Sequence, residues 1–145
     1  MIKVLIQVAS GSSERRIYDE QTLEYKETRQ GSHPYIYPYG FILGTRAEDG
    51  GSVDCYIITH DHLLAGSIVE CEPIGLLEQD EGGEIDHKVL ASMLNQQVAV
   101  SRELLQEMQD FIHLIFSGHP DMHVTVGNIL PREEALRHIN EHREI

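Results

Sequence analysis

The chain has 145 residues, 41% of them hydrophobic, which predicts one folded domain rather than a disordered segment. Its 24 acidic and 11 basic residues give a formal net charge of −13. Nucleic acids and anionic membranes would repel such a protein, so we expect neither as a partner. Because the apolar run at residues 1–8 is too short for a signal peptide, we expect a cytoplasmic protein.

Short segments rich in β-branched and aromatic residues fill the first two thirds of the chain, with turn residues between them. They predict a strand at 2–8, a strand pair at 15–18 and 23–26, a strand at 53–59, a long β segment at 68–77 and a strand at 87–91. Pro73 and Gly75 inside the long segment indicate a bend or bulge.

The last third of the chain changes to a helical period. Apolar residues recur at 3.6-residue spacing and predict an amphipathic core-facing helix: Leu104, Leu105, Met108, Phe111, Ile112 and Ile115. Ser101 is a suitable N-cap, and Gly118 with Pro120 ends the helix. Residues 122–126 predict a last strand, and Pro131 opens a short second helix with acidic residues in its first turn.

The segment Asp49-Gly50-Gly51-Ser52-Val53-Asp54 carries two carboxylates on one turn. The paired glycines indicate a tight turn leading into the strand that follows, which can bring Asp49 and Asp54 together. Converging carboxylates repel each other unless a cation lies between them, and a hard cation with oxygen ligands suits them. On this segment alone, a hairpin with two solvated aspartates is the better explanation.

Two further segments accompany this turn: a tyrosine-rich run at 35–42 containing Tyr39-Gly40, and a second acidic loop at 78–88 with two glycines. In this order, from about residue 35 to 91, the three motifs resemble those of the soluble inorganic pyrophosphatases of family I. The resemblance implies a mainly β (α+β) fold, an OB-like five-stranded closed β-barrel with a long and a short helix packed outside. It implies one pyrophosphatase-like domain at 1–145, and homo-oligomers.

Members of that family hydrolyse pyrophosphate to phosphate, using Mg²⁺ held by aspartates to neutralise the substrate and acidify a water. By resemblance, the ligands of Mg²⁺, or of Mn²⁺, are Asp49, Asp54, Asp80 and Asp86. By the same resemblance, pyrophosphate or phosphate is held by Tyr39, Lys88, Arg16 and Arg29, with Arg15 as an alternative to either arginine.

The chain departs from the family pattern at three places. Gly51 stands where the family has the aspartate that deprotonates the attacking water, Gln7 replaces a glutamate, and residues 114–117 lack a tyrosine–lysine pair. Loss of a positioned base typically costs about 10²–10⁴-fold in rate. Two hypotheses follow: a divergent Mg²⁺-dependent pyrophosphatase, or a catalytically impaired relative that binds metal and phosphate or serves a structural role.

Overall fold

The computed structural model of the protein describes residues 1–47, 49–119 and 121–144. Its elements are β1 (Ile2–Val8), β2 (Glu14–Tyr18), β3 (Tyr25–Gln30), β4 (Tyr39–Ile42), β5 (Asp54–Ile57), β6 (Ile68–Glu81), β7 (Glu84–Ile85), β8 (Lys88–Met93), α1 (Arg102–Phe116), β9 (Val124–Pro131) and α2 (Arg132–Glu141).

Five strands close into a ring. β1 pairs with β4, β4 with β5, β5 with β8, β8 with β6, and β6 again with β1. Only the β5–β8 pairing in this ring is parallel. β9 and β7 extend β6, while β2 and β3 form a separate hairpin. The expected mainly β fold, with five strands closed on themselves and two helices, is confirmed.

Two local features explain how the ring closes. A Cβ atom at Gly40 would lie 1.8 Å from the carbonyl oxygen of Leu5, so only glycine allows β4 to approach β1 this closely. On β6 the register with β8 shifts between Pro73 and Gly75, which confirms the bulge that these two residues indicated.

The two helices cover different parts of the core. α1 begins after Ser101, whose hydroxyl accepts a hydrogen bond from the Leu104 N–H, and it ends before Gly118, as the sequence predicted. The predicted role of Pro120 falls outside the described residues. α1 and α2 bury separate apolar sets: Leu104, Met108, Phe111 and Ile112 on α1, and Ala135 and Ile139 on α2. Neither helix, as far as the chain is described, is long and apolar enough to cross a membrane.

Three predicted boundaries are wrong. β3 runs from Tyr25 to Gln30 rather than over residues 23–26, because it pairs with β2 along that length. The last strand runs from Val124 to Pro131 rather than over residues 122–126, because it pairs with β6 along most of that length. The second acidic segment was expected to be a loop, yet β6 continues to Glu81 and β7 follows directly. Pairing with β9 supplies backbone partners for this acidic stretch, so its polar composition does not prevent strand formation.

Candidate active site

Lys88, at the start of β8, lies at the centre of a polar cluster. Its Nζ donates hydrogen bonds to Asp54 Oδ2 at 2.7 Å and Asp86 Oδ2 at 2.9 Å, and to the Tyr39 hydroxyl at 3.3 Å. Its side chain is only 6% exposed, against 22% for Asp54 and 29% for Asp86. Four of the residues singled out from the sequence therefore meet at one point.

Strand register explains this meeting. The parallel β5–β8 ladder pairs Cys55 with Val89, which places the preceding residues, Asp54 and Lys88, side by side at the ends of their strands. In the antiparallel β4–β5 ladder Phe41 pairs with Asp54 and Tyr39 with Tyr56, so the Tyr39 backbone lies two residue pairs from Asp54 and its hydroxyl reaches Lys88. The site is thus formed by residues at the ends of adjacent strands in the ring.

The cluster fixes the charge of its central residue. Burial on its own lowers the pKa of Lys88, but Tyr39, Asp54 and Asp86 outweigh that effect and raise the pKa well above its ordinary value. Burial, helped by the charge of Asp54, raises the pKa of Tyr39 well above its usual range. At neutral pH the site therefore presents a charged ammonium and a protonated phenol.

Asp49 joins the same cleft from the first acidic turn. Gly50 adopts a left-handed φ of 89°, and the N–H of Gly51 donates to Asp49 Oδ1 at 2.9 Å. This hydrogen bond turns the Asp49 carboxylate back over its own loop. Asp49, Asp54 and Asp86 all line one cleft of about 270 Å³, so the structure brings these three aspartates together.

Asp80, the fourth expected metal ligand, is used differently. Its Oδ1 accepts a hydrogen bond from the Gly83 N–H at 2.7 Å, within the β6–β7 turn, and it is not among the described residues that line the cleft. The next residue, Glu81, does line the cleft. Adjacent residues of a strand point to opposite faces, so only one of the two can face the cleft.

Glu81 is a site residue that the sequence analysis missed. Burial, together with the hydrogen bond and charge of Asp86, raises the pKa of Glu81 from 4.5 to about 7. The two carboxyl groups are therefore able to share a proton near neutral pH. The acidic segment supplied a signal, but the match to the family motif pointed to Asp80.

The arginines also differ from expectation. Arg16 donates to the Ala65 carbonyl at 3.2 Å, and Arg29 forms an exposed ion pair with Glu27 at 2.7 Å, so the structure does not bring either one to the cleft. Arg15, which the sequence left open, lines the cleft, with its guanidinium 5.5 Å from the centre of the Tyr39 ring. Strand alternation again separates Arg15 from Arg16.

Two polar atoms of the cleft are buried without a hydrogen-bond partner in the described structure, Arg15 Nε and Gln79 Oε1. Buried polar groups are normally paired, so an unpaired donor and an unpaired acceptor on one cleft suggest places for a ligand and a water. The wall nearest α1 is apolar, because Ile115 and Phe116 lie there. The predicted absence of a tyrosine–lysine pair thus leaves this wall without donors.

The donor chemistry of the cleft fits Mg²⁺. Among the described residues, no three acidic, histidine or cysteine side chains are close enough to form a metal cage. Magnesium rarely uses such a cage, because it keeps several waters and takes one or two carboxylates together with substrate phosphates. Carboxylates of Asp49, Asp54 and Asp86 meet that requirement, although Lys88 now lies between the last two.

Comparison with known proteins decides the family. The family model described as inorganic pyrophosphatase matches residues 4–144. The chain belongs to the inorganic pyrophosphatase family. An inorganic pyrophosphatase of Nanoarchaeum equitans is 29% identical over 99% of this chain and 96% of its own length. One from Sulfolobus acidocaldarius is 39% identical, but the match covers 63% of this chain and 54% of the relative, about half its length.

Solved structures agree with the sequence comparisons. The crystal structure of inorganic pyrophosphatase from Thermus thermophilus has a TM-score of 0.82 and 28% identity, over 95% of this chain and 86% of that one. The family that the three motifs indicated is therefore confirmed, and so is the fold inferred from it.

Proposed function

We propose that this protein is a Mg²⁺-dependent inorganic pyrophosphatase that hydrolyses pyrophosphate to two phosphates. Membership of the family supports the reaction class. The observation that carries the proposal is the cleft itself, which cationic donors and carboxylates line together. A cleft of about 270 Å³ suits a small, highly charged ligand.

The phosphate oxygens are bound by Arg15, Lys88 and Tyr39. Arg15 Nε is a buried donor with no acceptor in the described structure, and guanidinium groups bind phosphate oxygens with strong charge-assisted hydrogen bonds. Lys88 and Tyr39 are already in contact, and both can turn a donor toward an added anion. Gln79 lines the same cleft, and its buried Oε1 has no hydrogen-bond partner in the described structure.

Asp49, Asp54 and Asp86 hold Mg²⁺, with Mn²⁺ as a substitute. When bound, the ion supplies positive charge that offsets the phosphate charges and acidifies water. Where the ion would replace the Lys88 ammonium at one of its two carboxylate partners, that ammonium becomes available for phosphate.

Phosphate release from pyrophosphate in millimolar Mg²⁺ tests the proposal directly. Asp54→Asn should abolish release and also the rise in melting temperature that Mg²⁺ causes, because the ion binds only the folded protein. Asp110→Asn, which changes an exposed carboxylate on α1, is the matched control and should behave as the parent. p-Nitrophenyl phosphate should be a poor substrate, since the cleft offers donors for two bridged phosphates.

Two results would count against the proposal. If Mg²⁺ neither stabilises nor activates the parent protein, the protein has no metal site of this kind. If p-nitrophenyl phosphate is turned over as fast as pyrophosphate, the cleft is not specific for an anhydride. A parent that binds Mg²⁺ and pyrophosphate without releasing phosphate favours the impaired relative.

Homo-oligomeric assembly, a single domain over 1–145 and a cytoplasmic location remain proposals drawn from the resemblance and the sequence. Light scattering coupled to size-exclusion chromatography measures the first of these.

A further inference from the structure

A buried threonine closes the loop that carries the first acidic turn. Thr45 is only 1% exposed, and its Oγ1 accepts a hydrogen bond from the Val53 N–H at 3.0 Å. The same hydroxyl donates to the Ile42 carbonyl oxygen at 2.7 Å. Asp49 lies inside the loop closed in this way, and Asp54 follows directly after it. Both aspartates line the cleft, whereas Thr45 is not among the described residues that do.

The backbone of Thr45 is itself fixed from the opposite side. Thr45 forms an antiparallel β-bridge with Arg143, in the segment that follows α2. The next residue, Arg46, donates its N–H to the His142 carbonyl oxygen at 2.7 Å. The end of α2 therefore holds the Thr45 hydroxyl in place beneath the loop.

Two other hydrogen bonds that hold the acidic turn lie at the surface. The N–H groups of Gly51 and Ser52 donate to carboxylates there, and both contacts are exposed. Water competes with such bonds, so losing one costs little. The contact between Thr45 and Val53 is buried, and removal of its acceptor leaves a buried donor unpaired, which costs more. The buried contact should therefore contribute more to the position of the loop than the two exposed ones.

We infer that Thr45 is a positioning residue for the metal ligands of the cleft: by closing the base of the loop, its hydroxyl sets Asp49 and Asp54 in place before Mg²⁺ binds. The inference rests on the proposed function. An ion that binds ligands already in place does not have to order the loop, so less binding free energy is lost. Because Thr45 lies outside the cleft, its effect passes through the backbone of Val53.

Thr45→Val tests the hydroxyl alone, since valine has a similar shape and can neither donate nor accept a hydrogen bond. Thr59→Val is the matched control. Thr59 is 4% exposed, and its hydroxyl also donates once, to Gln96 Oε1 at 2.8 Å, and accepts once, from the Asp61 N–H at 3.0 Å. It lies beyond the end of β5 opposite to Asp54 and is not among the described residues of the cleft.

Both variants should melt at a lower temperature than the parent, because each leaves a buried donor unpaired. Only Thr45→Val should also raise the dissociation constant of Mg²⁺, measured by titration calorimetry at a temperature where all variants are folded. We expect a rise of about tenfold, the order that one hydrogen bond supplies. Pyrophosphate turnover should fall at limiting Mg²⁺ and recover at saturating Mg²⁺. Thr45→Ser keeps the hydroxyl and should bind Mg²⁺ as the parent does.

Amide hydrogen exchange of the parent is a second test that needs no variant. In EDTA the Val53 amide should be protected, because its acceptor is in place without the ion. A Val53 amide that exchanges as fast as those of exposed loops until Mg²⁺ is added overturns the inference, even if Thr45→Val does not fold.

Three outcomes of the titrations overturn the inference and leave the proposed function intact. The first is a folded Thr45→Val that binds Mg²⁺ as tightly as the parent. The second is an equal loss of affinity in Thr59→Val, which would show that any loss of stability weakens the site. The third is a folded Thr45→Ser that binds Mg²⁺ no better than Thr45→Val. A parent that binds Mg²⁺ without releasing phosphate contradicts the proposed reaction but not the role of Thr45, and a parent that does not bind Mg²⁺ overturns both.

Discussion

Replacing the buried ammonium of Lys88 by methionine should expose the repulsion in the cleft. Methionine has similar length and fills the same space, so the main change is the loss of charge between Asp54 and Asp86. Removing one partner of a buried ion pair costs about 3–5 kcal/mol. Both carboxylates are still partly exposed, at 22% and 29%, so we expect a loss near the lower end, about 3 kcal/mol.

Such a loss is easy to measure. For a domain of this size, each kcal/mol shifts the melting temperature by about 2–4 °C, so Lys88→Met should melt about 6–12 °C lower. Urea unfolding at neutral pH in EDTA, followed by circular dichroism, gives the free energy of unfolding directly. Lys26→Met is the matched control: its ammonium lies 4.0 Å from Asp19 and is 58% exposed, and such surface pairs contribute about 1 kcal/mol or less.

Magnesium should reverse much of the effect. An ion held by Asp54 and Asp86 takes the place of the missing ammonium, and a ligand at a hundred times its dissociation constant stabilises by about 2.7 kcal/mol. Lys88→Met should therefore gain more stability from Mg²⁺ than the parent gains. The reasoning is refuted if Lys88→Met costs no more than Lys26→Met, or if its loss is the same in EDTA and in Mg²⁺.

Three further predictions follow from individual contacts. Arg15→Gln should raise KM for pyrophosphate, because Arg15 lines the cleft and its Nε has no partner in the described structure. Arg16→Gln should leave KM unchanged, since Arg16 donates to the Ala65 carbonyl, and equal effects of the two variants in steady-state kinetics would contradict this. The raised pKa of Glu81 gives stability that is present below pH 4.5 and lost as the pH rises through about 7. Without metal, the free energy of unfolding of Glu81→Gln should therefore lack that part of its dependence on pH. An unchanged dependence would argue against this role of Glu81. Met108→Ala should lower the free energy of unfolding in urea by about 2–5 kcal/mol, because the Met108 side chain of α1 is fully buried. A loss below about 1 kcal/mol would show that the surrounding core fills the cavity.

The sequence was sufficient for the parts of the site that depend on motif. The resemblance named Asp54 and Lys88 as site residues, and the structure adds that parallel pairing of the strands they begin brings them together. The helix start at Ser101 followed from local hydrogen-bonding chemistry alone. A motif and a helix cap depend on neighbours in the chain, which is why the sequence reveals them.

The parts that sequence reasoning missed depend on which face of a strand meets the cleft. Arg15 and Arg16 are adjacent and chemically identical, as are the carboxylates of Asp80 and Glu81 apart from one methylene. In each pair, strand alternation sends one residue into the cleft and the other away. Composition carries no information on that choice, because it is set by how the hairpin and β6 pack on the ring.

The contacts of Lys88 indicate how an acidic cleft can bind an anion under the proposed function. Its ammonium is held by Asp54 and Asp86, so its charge is already offset and attracts phosphate weakly. Mg²⁺ on the same carboxylates would free the ammonium to bind phosphate beside Arg15. The net charge of −13 acts in the same direction, since it repels pyrophosphate but concentrates cations. Magnesium and pyrophosphate should therefore strengthen each other's binding by the same factor, as linkage requires.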